Sequence, residues 1–329
     1  MKKGKSPSLA QQLLAGDRIA LAKAITLAES TSPRHQKEAQ KILDTILPHT
    51  GKSLRIGITG VPGAGKSTFI ETLGNYLIRK KNKKVAVLAV DPSSPVSGGS
   101  ILGDKTRMHT LARNQHAFIR PSPASAVSGG VGLHTREAIL LCEAAGYDIV
   151  IVETIGVGQS ETAVHDLVDF LLLLLLPGAG DELQGIKRGI IELADLLAVN
   201  KADGDNEDRA HQAQVAYFRA MQLFPSHESG WKPPVLTCSA LTGKGIENIW
   251  KQVESFENLT RNNGFFDRQR QLQRKSWLQQ LLTTLIIRKF YANRKVRKSY
   301  EALQQLAVEG KISVPAAASR LVKLQRLTA

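Results

Sequence analysis

Residues 60–68 read GVPGAGKST, a full match to the GxxxxGK(S/T) spacing that wraps a polyphosphate. Gly63 and Gly65 let the backbone turn so that successive N–H groups face the phosphates, while Gly60, Val61, Pro62 and Ala64 complete the loop. Lys66 offers a point charge to the β- and γ-phosphates. Ser67, followed by Thr68, offers a hydroxyl to Mg²⁺. Two acids extend the oxygen set for that cation: Asp91 closes VAVLAVD and Glu153 closes DIVIVET. Both runs read as strands, and the carboxyl ends of parallel strands lie on the edge where ligands bind.

Residues 200–203 read NKAD, the NKxD pattern of GTPases. Asp203 can accept two hydrogen bonds, from guanine N1–H and from the exocyclic amine. Adenine has no such donors there, and a pocket built on polar readout can discriminate by about 10⁴-fold or more. Asn200 is expected to brace the loop and the stem of Lys201 to lie along the base. Ser239-Ala240-Leu241 matches the loop whose backbone N–H reads guanine O6. Four residues alone specify little; their place downstream of the phosphate loop gives them weight.

The usual DxxG of GTPases is replaced by Glu153-Thr154-Ile155-Gly156. Gly156 can still give its N–H to the γ-phosphate. Val157 stands where Ras-like GTPases carry the glutamine that orients water, and Gln159 is the candidate substitute. With no pre-placed catalytic group, intrinsic hydrolysis is expected to be slow and to need a partner that orders the loops.

Positioning these groups requires a scaffold. Short apolar runs at 54–59, 85–91, 148–154, 169–176, 195–201 and 234–240 are the pattern of a parallel sheet covered on both faces. Helical stretches at 66–80, 134–146, 182–194, 206–223 and 245–257 alternate with them, which predicts a doubly wound α/β domain over 51–260. An N-terminal helical segment, 1–50, precedes it, with Ser32-Pro33 reading as a helix start. A helical arm, 261–329, follows: Trp277, Leu278, Leu281, Leu282, Leu285 and Ile286 recur at helical spacing, and two more helices break at Gly310 and Pro315.

The 329 residues suffice for one α/β core with smaller appendages. Cys142 and Cys238 are solitary, so neither a disulfide framework nor a zinc site is expected, and a reducing cytosol suits the chain. The N-terminal lysines are followed by too short an apolar stretch for a signal peptide. Phe170–Leu176 is too short to span a membrane. The net charge of +15 is concentrated on the flanks, with 261–329 alone carrying +12. Such a flank can meet an anionic surface or an acidic protein. Aromatics are only 5%, so stacking platforms are scarce and a nucleic-acid binder is disfavoured.

Three longer strings, DPSSPVSGGSILGDKTRM (91–108), AAGYDIVIVETIGVGQSE (145–161) and GDELQGIKRGIIELAD (180–195), join GVPGAGKST and NKAD in a close resemblance to the MeaB/ArgK family over about 40–260. The resemblance implies a Mg²⁺-dependent GTPase that protects adenosylcobalamin-dependent methylmalonyl-CoA mutase and loads its cofactor. It implies that Ser67, Asp91, Asp104 and Glu153 lie around the metal and γ-phosphate, and that 92–107 and 154–162 are switches. It further implies that 179–188, with Gln184 and Lys187, signals to the mutase or acts in catalysis, and that the C-terminal helices form a homodimer arm. Three alternatives stay open: a nickel-insertion GTPase, for which the eight scattered histidines offer no cluster; a GTPase or kinase linked to basic amino-acid transport; and a basic-tailed binder of anionic surfaces.

Overall fold

Alternation along each strand decides the layers. A computed structural model describes residues 7–91, 108–123, 134–154, 164–178, 188–225 and 227–324. Its strands are β1 (Leu54–Gly60), β2 (Val85–Asp91), β3 (Ala117–Pro123), β4 (Ile149–Thr154), β5 (Phe170–Leu175), β6 (Leu196–Val199) and β7 (Val235–Thr237). They form a seven-stranded sheet in the order β3-β2-β4-β1-β5-β6-β7, and every pairing is parallel. Phe170, Leu172 and Leu174 of β5 face one layer and Leu171, Leu173 and Leu175 the other, all fully buried. This two-sided burial is why β5 can be apolar at every position.

Helices cover both faces. On one side, Phe69, Ile70, Leu73 and Leu77 of α4 (Lys66–Lys81) share a core with Ile249, Trp250, Val253 and Phe256 of a later helix, Ile246–Asn262. On the other, Leu13, Leu21, Ile25, Ile42 and Ile46, from helices α1 (Leu9–Leu14), α2 (Arg18–Glu29) and α3 (Pro33–Ile46), pack with helix Thr135–Ala144 against β2 and β4. Ser32-Pro33 starts the third of these helices as its sequence suggests. Ser8 and Gln11 form a capping box on the first, and Asp17 caps the second through Ile19 N (2.7 Å) and Ala20 N (3.1 Å).

The expected fold is present, with one strand more than the sequence pattern predicts. β3, HAFIRPSP with its neighbouring histidine, lacks the apolar run of its partners and carries Pro121 and Pro123. Proline cannot donate to a ladder and is tolerated at a sheet edge, which is where β3 lies. Pro315 also differs from expectation: it sits at the start of helix Val314–Leu324 rather than only in the break before it.

The chain divides into two compact units, Met1–Arg270 and Gln271–Ala329, and the helix Phe265–Ala292 runs through the division. In the first unit the root of that helix is clamped under the sheet. Arg270 makes a two-pronged ion pair with Asp169 (both 2.7 Å) and donates to the carbonyls of Gly51 and Ser53 (both 2.6 Å). Its guanidinium lies 4.4 Å from the Phe266 ring centroid. Asp169 also accepts from Arg55 N at 2.8 Å, so the buried carboxylate is fully used at the foot of β1 and β5. In the second unit, helix Arg294–Val308 is capped by Asn293 and followed by Val314–Leu324. Leu278, Leu282, Leu285 and Ile286 are exposed there. Among the described residues no helix is long and apolar enough to cross a membrane.

Candidate active site

Parallel strands deliver the sequence motifs to a single edge. β1 runs straight into the glycine loop. At Gly60 the chain passes so close to β5 that a Cβ would stand 2.3 Å from Leu174 O, with φ at +153°. Val61 is half-buried, Pro62 and Gly63 are exposed, and Ala64 is fully buried. Gly65, with φ at +87°, is the left-handed turn from which α4 begins; a Cβ there would meet Asn200 Nδ2 at 2.8 Å. Lys66 reaches back across the loop, donating to Gly60 O (2.8 Å) and Val61 O (3.3 Å). Burial holds its ammonium below the usual lysine range, partly offset by the nearby Glu153. Thr68 is exposed beside it.

Glu153 comes from β4, next to β1 in the register Ile58–Glu153. It is buried, and Ser67 Oγ donates to its Oε1 at 3.0 Å. A hydroxyl and a buried carboxylate facing each other at the head of the phosphate loop are hard-oxygen groups of the kind that could hold a small divalent cation. The backbone of Asp91 ends β2 on the same edge, one pair beyond Val90–Thr154. Asp104, Gln159, Gln184 and Lys187 lie outside the described residues.

The base-reading motifs follow β6 and β7. Asn200, almost wholly buried, donates from Nδ2 to Ala64 O at 2.8 Å and accepts from Ala240 N at 2.9 Å. One amide thus ties the phosphate loop to the Ser239-Ala240-Leu241 loop, a more specific brace than the sequence reading described. Ser239 Oγ donates to Asp203 Oδ2 and accepts from Thr242 N at 3.1 Å, so it orients the carboxylate. Lys201 stands at φ +60° with its side chain exposed, and Leu241 is 80% exposed. The sequence reading missed Thr72, whose Oγ1 donates to Ala240 O at 2.6 Å. A threonine in a helix carries no signal by itself; only the fold brings it there.

Among the described residues no group of three or more His, Cys, Asp or Glu could hold a metal. Phosphate-loop donors, an oriented Asp203 and a buried amide between the two loops make a nucleotide site of GTPase type.

Comparison with known proteins agrees. The family model described as methylmalonyl Co-A mutase-associated GTPase MeaB matches residues 21–295. GTPase ArgK of Escherichia coli (strain K12) is 50% identical over 290 residues, 88% of this chain and 87% of that protein. The mitochondrial methylmalonic aciduria type A homolog of Mus musculus is 45% identical over 321 residues, 94% of this chain and 77% of that protein. The solved structure of an LAO/AO transport system kinase superimposes with a TM-score of 0.74 at 40% identity, covering 96% of this chain and 95% of that one. The chain is a nucleotide-binding, GTP-hydrolysing enzyme, and it belongs to the MeaB family of methylmalonyl-CoA mutase-associated GTPases.

Proposed function

We propose that this GTPase uses its nucleotide state to protect an adenosylcobalamin-dependent methylmalonyl-CoA mutase and to gate the loading of that enzyme's cofactor. The chemical half of the reading is carried by Asn200, which wires the phosphate loop to the base loop within one buried hydrogen-bond set. The mutase half is supported by the description of the matching family and by the name of the mouse relative.

In this reading the loop amides of 60–68 and Lys66 hold the triphosphate, and Asp203 selects guanine. Ser67, Glu153 and Asp91 would hold Mg²⁺, which when bound neutralises charge on the β- and γ-oxygens. Glu153, hydrogen-bonded to Ser67 at the end of β4, is the residue that in this reading passes a change at the γ-phosphate to the segment that follows. A GTP-dependent signal requires that GTP and GDP favour different states of the segments after β2 and β4. We assign Gln159 and Lys187 as the groups to test for water positioning and signalling, Asp104 as a further metal-side acid, 261–329 as the homodimer arm, and the cytoplasm as the compartment.

The test is binding of the chain to methylmalonyl-CoA mutase with a GTP analogue and with GDP, together with mutase inactivation and cofactor transfer. Different affinities and altered transfer are expected. Identical affinities with no effect on either process would remove the chaperone role and leave the GTPase. The name of the solved relative favours a second reading, phosphate transfer linked to transport. Transfer of labelled γ-phosphate to a protein would favour it, and release as free phosphate alone would exclude it.

A further inference from the structure

Within this guanine site, α4 does more than begin at the phosphate loop. Six residues beyond Lys66, on the same helix, Thr72 donates through Oγ1 to the carbonyl of Ala240 at 2.6 Å. Ala240 is buried, and its own N–H is held by Asn200 Oδ1 at 2.9 Å. The loop is therefore gripped on both sides of one alanine, once from Asn200 and once from α4. Asn200 returns to Ala64 O, which closes a ring: phosphate loop, Asn200, Ala240, Thr72, and back along α4 to Lys66. That ring fixes the spacing between the phosphate and base ends of the site.

The loop amides are already allotted. Ser239 N donates to Lys244 O at 2.9 Å and Ala240 N to Asn200, while among the described residues no partner takes the Leu241 N–H. Leu241 N–H belongs to the same peptide unit as Ala240 C=O. The chain has no cis peptide among the described residues, and in a trans peptide the C=O and N–H point to opposite sides. By holding the carbonyl toward α4, Thr72 turns the Leu241 N–H away from it.

We propose that Thr72 is a positioning residue for base recognition, aiming the Leu241 amide at the 6-oxo group of the purine. The proposal rests on the guanine-nucleotide reading of the site and adds a residue that the motifs do not contain. Its consequence is specific. The 6-oxo group is common to guanine and hypoxanthine, whereas the 2-amino group, present only in guanine, belongs to Asp203. Loss of the Thr72 hydroxyl must therefore weaken both bases by the same factor.

The experiment is calorimetry on the full chain with Mg²⁺ and GDP, inosine diphosphate or ADP, for wild type, Thr72→Val and Thr72→Ser, with nucleotide-free melting temperatures as the folding control. Thr72→Ala carries the same comparison if Thr72→Val does not fold. Removing one hydrogen bond is expected to weaken GDP and inosine diphosphate alike by about five- to tenfold. The ratio between them and the affinity for ADP should stay unchanged, and Thr72→Ser should restore wild-type binding. In turnover the loss should fall on KM for GTP rather than on kcat. Unchanged GDP binding, an equal loss for ADP, or failure of Thr72→Ser to rescue would overturn the proposal. A wild-type chain that takes ADP as readily as GDP would instead overturn the underlying base assignment, and this proposal with it.

Discussion

Asp203 and Gly65 show how single residues set the chemistry. Asp203 is oriented by Ser239 Oγ and presents a charge-bearing acceptor where the guanine reading puts two donors. Asp203→Asn replaces one acceptor oxygen by a donor. GTP affinity should fall by at least about 100-fold, while xanthosine triphosphate, whose 2-oxo group accepts from the new amide donor, should bind more tightly than it does to wild type; competition binding against a labelled nucleotide checks both. Gly65 is constrained twice, by its φ of +87° and by Asn200 Nδ2, which a Cβ would meet at 2.8 Å. Gly65→Ala should therefore cost about 1–3 kcal/mol of stability and loosen the amide that joins the two loops. A thermal melt together with nucleotide titration will read both effects. Much at this scale was legible in the sequence: the phosphate loop, NKAD and the Ser239-Ala240-Leu241 patch are contiguous strings. Thr72 was not, because its partner Ala240 is 168 residues away and no local pattern marks the pair.

At the scale of elements, the sheet was readable wherever both faces of a strand are buried. β5 announces itself as FLLLLL. β3 does not, because an edge strand needs no continuous apolar run and can hold two prolines. The buried polar joints were equally hidden. Asp195, at the entry to β6, accepts from Leu171 N at 2.8 Å, and its own carbonyl accepts from Trp231 Nε1 at 2.8 Å. Burial pushes its carboxyl up to about 7, partly opposed by the Leu171 hydrogen bond. Between about pH 4 and pH 7 the folded chain holds a proton there that the unfolded chain has released. This contribution to stability is full at the acid end and is lost as pH rises to about 7. Asp195→Asn keeps the acceptor and removes the titration, so its melting temperature should gain on wild type across that window; parallel melts at several pH values check the sign. The Arg270–Asp169 clamp makes a second prediction at this scale. Arg270→Met leaves a buried carboxylate without its cation, and should cost about 3–5 kcal/mol in denaturant unfolding. The double variant Arg270→Met with Asp169→Leu should recover part of that loss.

For the whole molecule, the arrangement separates two tasks. The phosphate loop, Glu153, Asn200-Lys201-Ala202-Asp203 and Ser239-Ala240-Leu241 lie on the carboxyl edge of the sheet, whereas the root of the long helix is fixed beneath the opposite ends of β1 and β5. The basic charge belongs to the second unit and the N-terminal segment rather than to the sheet domain. If 261–329 assembles the proposed homodimer, sedimentation of the full chain should give a dimer mass, and placing acids at the exposed Leu282 and Ile286 should shift it toward monomer while GTP binding persists.

The central claim is that base identity is read by a carboxylate aimed at guanine, at the far end of a site whose near end is a ring of loop amides. Calorimetry of the full chain with Mg²⁺ and non-hydrolysable analogues of GTP and ATP measures it directly. A preference for the guanine analogue of about 10³-fold or more is predicted. Equal uptake of the two would contradict it.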